Sequence, residues 1–65
     1  MRILVNGVWH EAAGRELAAA LEELGYGSRL VSTAVNGEFV SLEERARTAL
    51  ADGDRLEVLA PMQGG

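Results

Sequence analysis

The chain contains no cysteine and no lysine. Without cysteine there is no disulfide and no thiolate ligand for a metal. Yet a domain of 65 residues buries only about 60% of the surface its unfolded chain exposes. Small scaffolds of that kind commonly rely on disulfides or a metal. The one histidine, His10, cannot assemble a zinc site with carboxylates scattered along the chain, so no metal site is expected. What remains is a compact, regular fold or support from a partner. The missing lysine is read as an effect of codon usage, with the lack of any side-chain amine that could attack an activated acyl group as the alternative. Positive charge is scarce overall: six arginines face ten carboxylates, giving a net charge of −4. That excludes the basic stripe that nucleic acid needs to neutralise its phosphates, and it argues against an anionic membrane surface. A basic protein partner stays compatible. There is no apolar run of membrane-spanning length and no charged-then-apolar leader. With the lack of cysteine, this leads us to expect a cytoplasmic protein. Trp9 reads as a packing or interface residue rather than a stacking platform for bases.

What is present is punctuated by two Asn-Gly pairs. In "RILVNGVWHE" the pair Asn6-Gly7 separates two β-prone runs. Asn-Gly is the strongest short hairpin signal, because a type I′ turn needs positive φ at both central positions. A two-residue turn pairs Val5 with Val8 and puts Trp9 on the opposite face, and a bulge would reverse this. His10 reads as an ordinary strand residue, with no nucleophile nearby to activate. In "AAGRELAAALEELGYGS", Leu17, Leu21 and Leu24 recur at helical spacing, and the alanines between them favour helix. A helix is expected over 15–24, with Glu16 at its positive end and Gly25 as a left-handed cap. "LVSTAVNGEFV" repeats the hairpin around Asn36-Gly37, with Val35 and Val40 in the core. "SLEE" reads as a capping box, Ser41 with Glu44. It would open a short helix lined by Leu42, Ala46, Ala49 and Leu50. "ADGD" is a polar turn, in which Asp52 and Asp54 are turn formers. The last strand is "RLEVLA", with Leu56, Val58 and Ala60 on one face, and Pro61 stops it. Glu22-Glu23 and Glu43-Glu44 read as solvated helix faces or caps.

These elements imply an α+β fold of two layers, a mixed sheet of about four to five strands on one main helix. With the last strand beside the first, that is the ubiquitin-like β-grasp order. The domain is expected to span residues 1–60, followed by a flexible C-terminal tail over 61–65. Alternation turns Ile3, Val5, Val35, Leu56 and Val58 toward the helix. Leu4, Ala34 and Leu59 then face outward, Phe39 joins them, and Met62 stands at the base of the tail. Such a patch suits partner docking, whereas a few scattered apolar residues are normal on any surface.

The tail itself, "PMQGG", has a chemical case. A carboxylate that must be activated has to enter a narrow cleft. Glycine has no Cβ to meet the walls of that cleft. Four residues beyond Pro61 span roughly 13–14 Å when extended. Gly65 would then carry the reacting carboxylate, which is ionised at pH 7, and Gly64 would give it access. No side chain stands out as a catalytic base, so no catalytic residue is assigned.

"ILVNG", "AVNGEFV" and "DGDRLEVLAPMQGG" together resemble the ThiS family of sulfur carriers, within the wider group of ubiquitin-like carriers, over nearly the whole chain. The "DGD" turn, the apolar strand and the terminal Gly-Gly belong to the wider group. The "P-M-Q-G-G" ending and the short length are closer to the carriers of thiamin biosynthesis than to the small subunit of molybdopterin synthase. Two features depart from the family. Arg15-Glu16 stand where it often has a Thr or Ser cap. The stretch before the helix is also about one residue short, which leaves the register of Trp9 and His10 open. The resemblance implies a carrier that is a co-substrate rather than an enzyme, with no permanently bound cofactor. An E1-like partner would adenylate Gly65 with ATP and magnesium, and sulfur would then make a thiocarboxylate for an acceptor such as thiazole synthase. A carrier serving molybdopterin, cysteine or secondary-metabolite synthesis, and a ubiquitin-like modifier or interaction module, are the alternatives.

Overall fold

Both Asn-Gly pairs form the turns their chemistry favours. The structure, a computed structural model, describes residues 1–27 and 30–60. Strands β1 (Arg2–Val5) and β2 (Val8–Glu11) pair with Val5 opposite Val8 and Leu4 opposite Trp9. The first hairpin therefore has no bulge, and Trp9 shares the face of Leu4. Strands β3 (Ser32–Val35) and β4 (Glu38–Val40) repeat the arrangement. Asn6 and Asn36 hold φ of 48° and 51°, and Gly7 and Gly37 hold 84° and 86°. A type I′ turn asks for this pair of left-handed residues, and Asn and Gly adopt it at least cost.

Strand β5 (Arg55–Leu59) completes a five-stranded sheet in the order β2-β1-β5-β3-β4. It runs parallel to β1 and antiparallel to β3. The final strand is thus the middle one, the expected β-grasp order. Helix α1 (Leu17–Glu23) lies on the inner face. Ile3, Val5, Leu56 and Val58 from the sheet meet Leu17, Ala20 and Leu21 in one core, with Leu24 and Val35 at its margin. Ala60 follows the strand and is exposed rather than continuing the inner row.

The helix starts two residues later than expected. Glu16 is its N-cap but makes no side-chain cap. The first helical N–H, that of Leu17, donates instead to the carbonyl of Thr48 at 2.9 Å. Orphan donors at a helix start need some partner, and here a distant loop supplies it. Glu23, expected on a solvated face, accepts from the backbone N–H groups of Ala13 and Gly14, both at 3.0 Å. Gly25 has φ +90°, the expected left-handed cap.

The second helix departs further. Leu42–Arg47 is a 3-10 helix. The Ser41 side chain makes no cap; its backbone carbonyl accepts from the Glu44 N–H at 3.0 Å. The Glu44 carboxylate pairs with Arg47 at 3.3 Å, exposed at both ends and worth little. A period of three replaces 3.6, so the expected stripe dissolves. Leu42, Ala46 and Ala49 are exposed, and Leu50 alone of that set is buried. The residue that turns inward is Arg45, which is 9% exposed. Its Nε donates to Thr33 Oγ1 at 3.1 Å, and its Nη2 donates to the Val31 carbonyl at 2.6 Å. Thr33, itself buried, donates its hydroxyl hydrogen bond to the Val40 carbonyl at 2.8 Å. The guanidinium so staples the 3-10 helix to β3. A buried polar network of this kind holds because each member has a partner.

Candidate functional site

The expected chemistry falls on two positions, Gly64 and Gly65, and the expected recognition on one surface. Gly64, Gly65, Pro61 and Met62 lie outside the described residues, so the tail is placed only by where the sheet ends. That end is well defined. Leu59 pairs with Ser32 of β3, and Thr33 with Val58. The chain therefore leaves from the central strand, where Leu59 pairs with β3 alone, because the pairing of β1 with β5 stops at Leu56.

Alternation put Leu4, Ala34, Phe39 and Leu59 on the outer face, and the register brings all four there. Leu4 stands opposite Trp9 on one side and Arg55 on the other. Ala34 stands opposite Phe39 and Glu57. The outer surface thus reads across the strands as Trp9, Leu4, a central Arg55 and Glu57, then Ala34 and Phe39. Leu4 and Leu59 line one shallow hollow with Arg55 and Glu57. Phe39 and Leu59 are 72% and 66% exposed, whereas Leu4 and Ala34 are half-buried. Leu4 and Ala34 flank β5 on its two sides, so two large apolar side chains standing mostly in water and two half-covered ones share one face of the sheet.

Trp9 extends this face and was not among the residues expected on it. It is 48% exposed, and the Arg2 guanidinium carbon lies 4.7 Å from its ring centroid. That is cation–π distance. The two-residue turn already implied this placement, and only the open register hid it. Among the described residues no group of three or more His, Asp or Glu side chains could hold a metal ion. His10 is an exposed strand residue opposite Ile3. No described helix is long and apolar enough to cross a membrane.

The Asn-Gly pairs do more than turn the chain. Asn6 accepts from the Val58 N–H at 2.9 Å and donates its amide to the Val58 carbonyl at 3.0 Å. Asn36 accepts from the Arg55 N–H at 3.0 Å and donates to Asp54 Oδ1 at 3.0 Å. The two side chains hold the two ends of β5. Sequence reading used these asparagines only for their tolerance of positive φ. A side-chain bond across 52 positions leaves no local pattern.

The profile described as the ThiS family matches residues 3–65. The chain is 41% identical over 64 residues to the sulfur carrier protein ThiS of Thermus thermophilus, covering 97% of this chain and 98% of that protein. It is also 38% identical over 66 residues to a thiazole synthase of Paramagnetospirillum magneticum. There it covers all of this chain but only 20% of the relative's length. Among solved structures, the crystal structure of the thiamine biosynthesis protein ThiS of Geobacter metallireducens superimposes with a TM-score of 0.84 at 30% identity, over the full length of both chains.

Proposed function

Because the chain belongs to the ThiS family, we propose that it is a sulfur carrier for thiazole formation in thiamin biosynthesis and that its Gly65 carboxylate holds the sulfur. The observation that carries this reading is the match over residues 3–65, which includes the terminal Gly-Gly. The same region matches part of a thiazole synthase, which supports a synthase of that kind as the sulfur acceptor. The chain is a co-substrate here, and the chemistry of activation belongs to its partners.

The steps follow from the carboxylate. An oxygen of ionised Gly65 attacks the α-phosphorus of ATP, forming a C–O–P linkage and expelling pyrophosphate. An E1-like partner with bound magnesium provides that site. Hydrosulfide then attacks the acyl carbon and displaces AMP, leaving a thiocarboxylate and a proton. No redox change occurs on the carrier. The outer face, with Leu4, Ala34, Phe39 and Leu59 beside the exit of the tail and Met62 at its base, is the docking surface. Gly64 lets the last residue pass the walls of the partner's cleft. Residues 1–60 serve as the handle and residues 61–65 as the arm.

Incubation with an E1-like enzyme, ATP, magnesium and sulfide, followed by intact mass measurement, tests this. The wild-type chain is expected to gain the difference between one sulfur and one oxygen. The chain lacking Gly65 is expected to gain nothing. No gain by the wild-type chain with its cognate activating enzyme would overturn the proposal. A product amide-linked to another protein's lysine would favour a modifier instead.

A further inference from the structure

We infer that Asn6 is a positioning residue for the donor arm: its side-chain amide fixes the root from which residues 61–65 depart. This rests on the reading of Gly65 as the sulfur-bearing terminus.

The parallel pairing of β1 with β5 ends at Val5 opposite Leu56. The backbone N–H of Asn6 still reaches the Leu56 carbonyl at 3.0 Å. There β1 turns away into its hairpin. Two residues further along β5, the N–H and the carbonyl of Val58 are both taken by the one Asn6 amide. A carboxamide carries a donor and an acceptor side by side, as a peptide group does. Asn6 thereby stands in for the next residue of β1 and prolongs the ladder toward the exit. Only one orientation of the amide satisfies both bonds. Both backbone groups of Val58 are consequently bonded on the β1 side by Asn6 alone, while Val58 stands opposite Thr33 on the other side. Only Leu59 and Ala60 separate it from the arm.

The direction of the arm matters because activation needs the carboxylate in line with a phosphorus. Small misplacements of reacting groups cost large factors in rate. Asn6 borders the outer hollow lined by Leu4 and Leu59, so the KM for the carrier is measured beside kcat to separate an effect on docking from one on the direction of the arm. Asn36 provides an internal control. It sits in the same kind of turn with the same positive φ and also makes two side-chain hydrogen bonds, but to Asp54 and Arg55 at the start of β5.

The experiment compares Asn6→Gly and Asn36→Gly, both of which retain the turn conformation, with Asn6→Asp. Asn6→Asp keeps the acceptor for the Val58 N–H and loses the donor to its carbonyl. Two readouts are taken: backbone order of Leu59 and Ala60 by nitrogen relaxation of the free chain, and steady-state adenylation by the E1-like enzyme. Asn6→Gly is expected to lower order at Leu59 and Ala60. It should lower kcat about 10-fold, with KM for the carrier changed less than about twofold. Asn6→Asp should fall between Asn6→Gly and wild type, and Asn36→Gly should match wild type in kcat. Equal effects of the two glycine variants would reduce Asn6 to a purely structural role and overturn the inference. So would unchanged order at Leu59 and Ala60, or unchanged kcat for Asn6→Gly. Failure of the wild-type chain to be adenylated would overturn the functional reading instead, and the partner-free order measurement would still decide whether Asn6 fixes the root.

Discussion

Leu56→Ala is expected to lower the thermal midpoint by about 12–24 °C. Leu56 is 1% exposed and lies between Val5 of β1 and Val35 of β3. Truncating a buried leucine to alanine costs about 2–5 kcal/mol, because a cavity adds to the lost transfer energy. Taking about 3 kcal/mol, each kcal/mol moves the midpoint of a small domain by about 4–8 °C. The whole stability of a 65-residue chain is only about 3–10 kcal/mol. The substitution therefore removes a large part of it, with no disulfide or metal to compensate. Far-UV circular dichroism on heating measures the shift. A fall of less than about 4 °C would mean that the site collapses around the smaller side chain or that β5 is not central.

Three residues along the same strand, the opposite kind of loss is expected. Leu59→Glu should leave the fold intact and cut kcat/KM for adenylation about 30-fold. Leu59 is 66% exposed, and substitutions at such positions change stability by about 0.5 kcal/mol or less. An apolar anchor at an interface is worth about 2 kcal/mol or more, which is the factor of about 30. Glutamate also brings a charge into a contact that would have to desolvate it. Val8→Glu is the control. Val8 is 59% exposed but stands opposite Val5, on the inner side at the sheet edge, and its change should leave adenylation near normal. Equal rates for Leu59→Glu and wild type would remove the outer face from the docking surface. The partition of β5 into a buried face and an exposed face follows from the period of two in a strand.

How much of this was legible in the sequence depends on how far each cause lies along the chain. Asn6-Gly7 and Asn36-Gly37 act on their own backbone, so both hairpins could be read directly, whereas the register around Trp9 and His10 stayed open to a bulge that the pairing of Val5 with Val8 excludes. Leu4, Ala34 and Leu59 could be placed outward because alternation is local as well. The start of α1 could not be read, because its first donor is satisfied by the carbonyl of Thr48. "SLEE" has the pattern of a capping box. The anchoring of Arg45 on Thr33 and Val31 accompanies a tighter helix that turns Arg45 inward, and the pattern of residues 41–44 contains none of that. A buried arginine with no carboxylate partner among the described residues is something a hydrophobicity pattern assigns to the surface. The reading of the tail rests on chemistry alone, because residues 61–65 lie outside the described residues. Sulfur as its cargo came from the family resemblance, which the comparisons now support. Asn6 was read for one property, positive φ, and its second task depends on where β5 inserts.

The central place of β5 also bears on how the protein is made. Both neighbours of this strand, β1 and β3, are synthesised before it, and neither can complete the core without Leu56 and Val58. Domains generally fold as units during synthesis, and pairings between distant segments form late. The nascent chain therefore has no folded state to reach until residue 59 has cleared the ribosome. A chain stalled with residues 55–59 still inside the exit tunnel is expected to be digested by protease along its emerged length. A released chain should resist. A protein interrupted before β5 is in this way unable to fold, so every folded molecule comes from a chain whose synthesis passed residue 59.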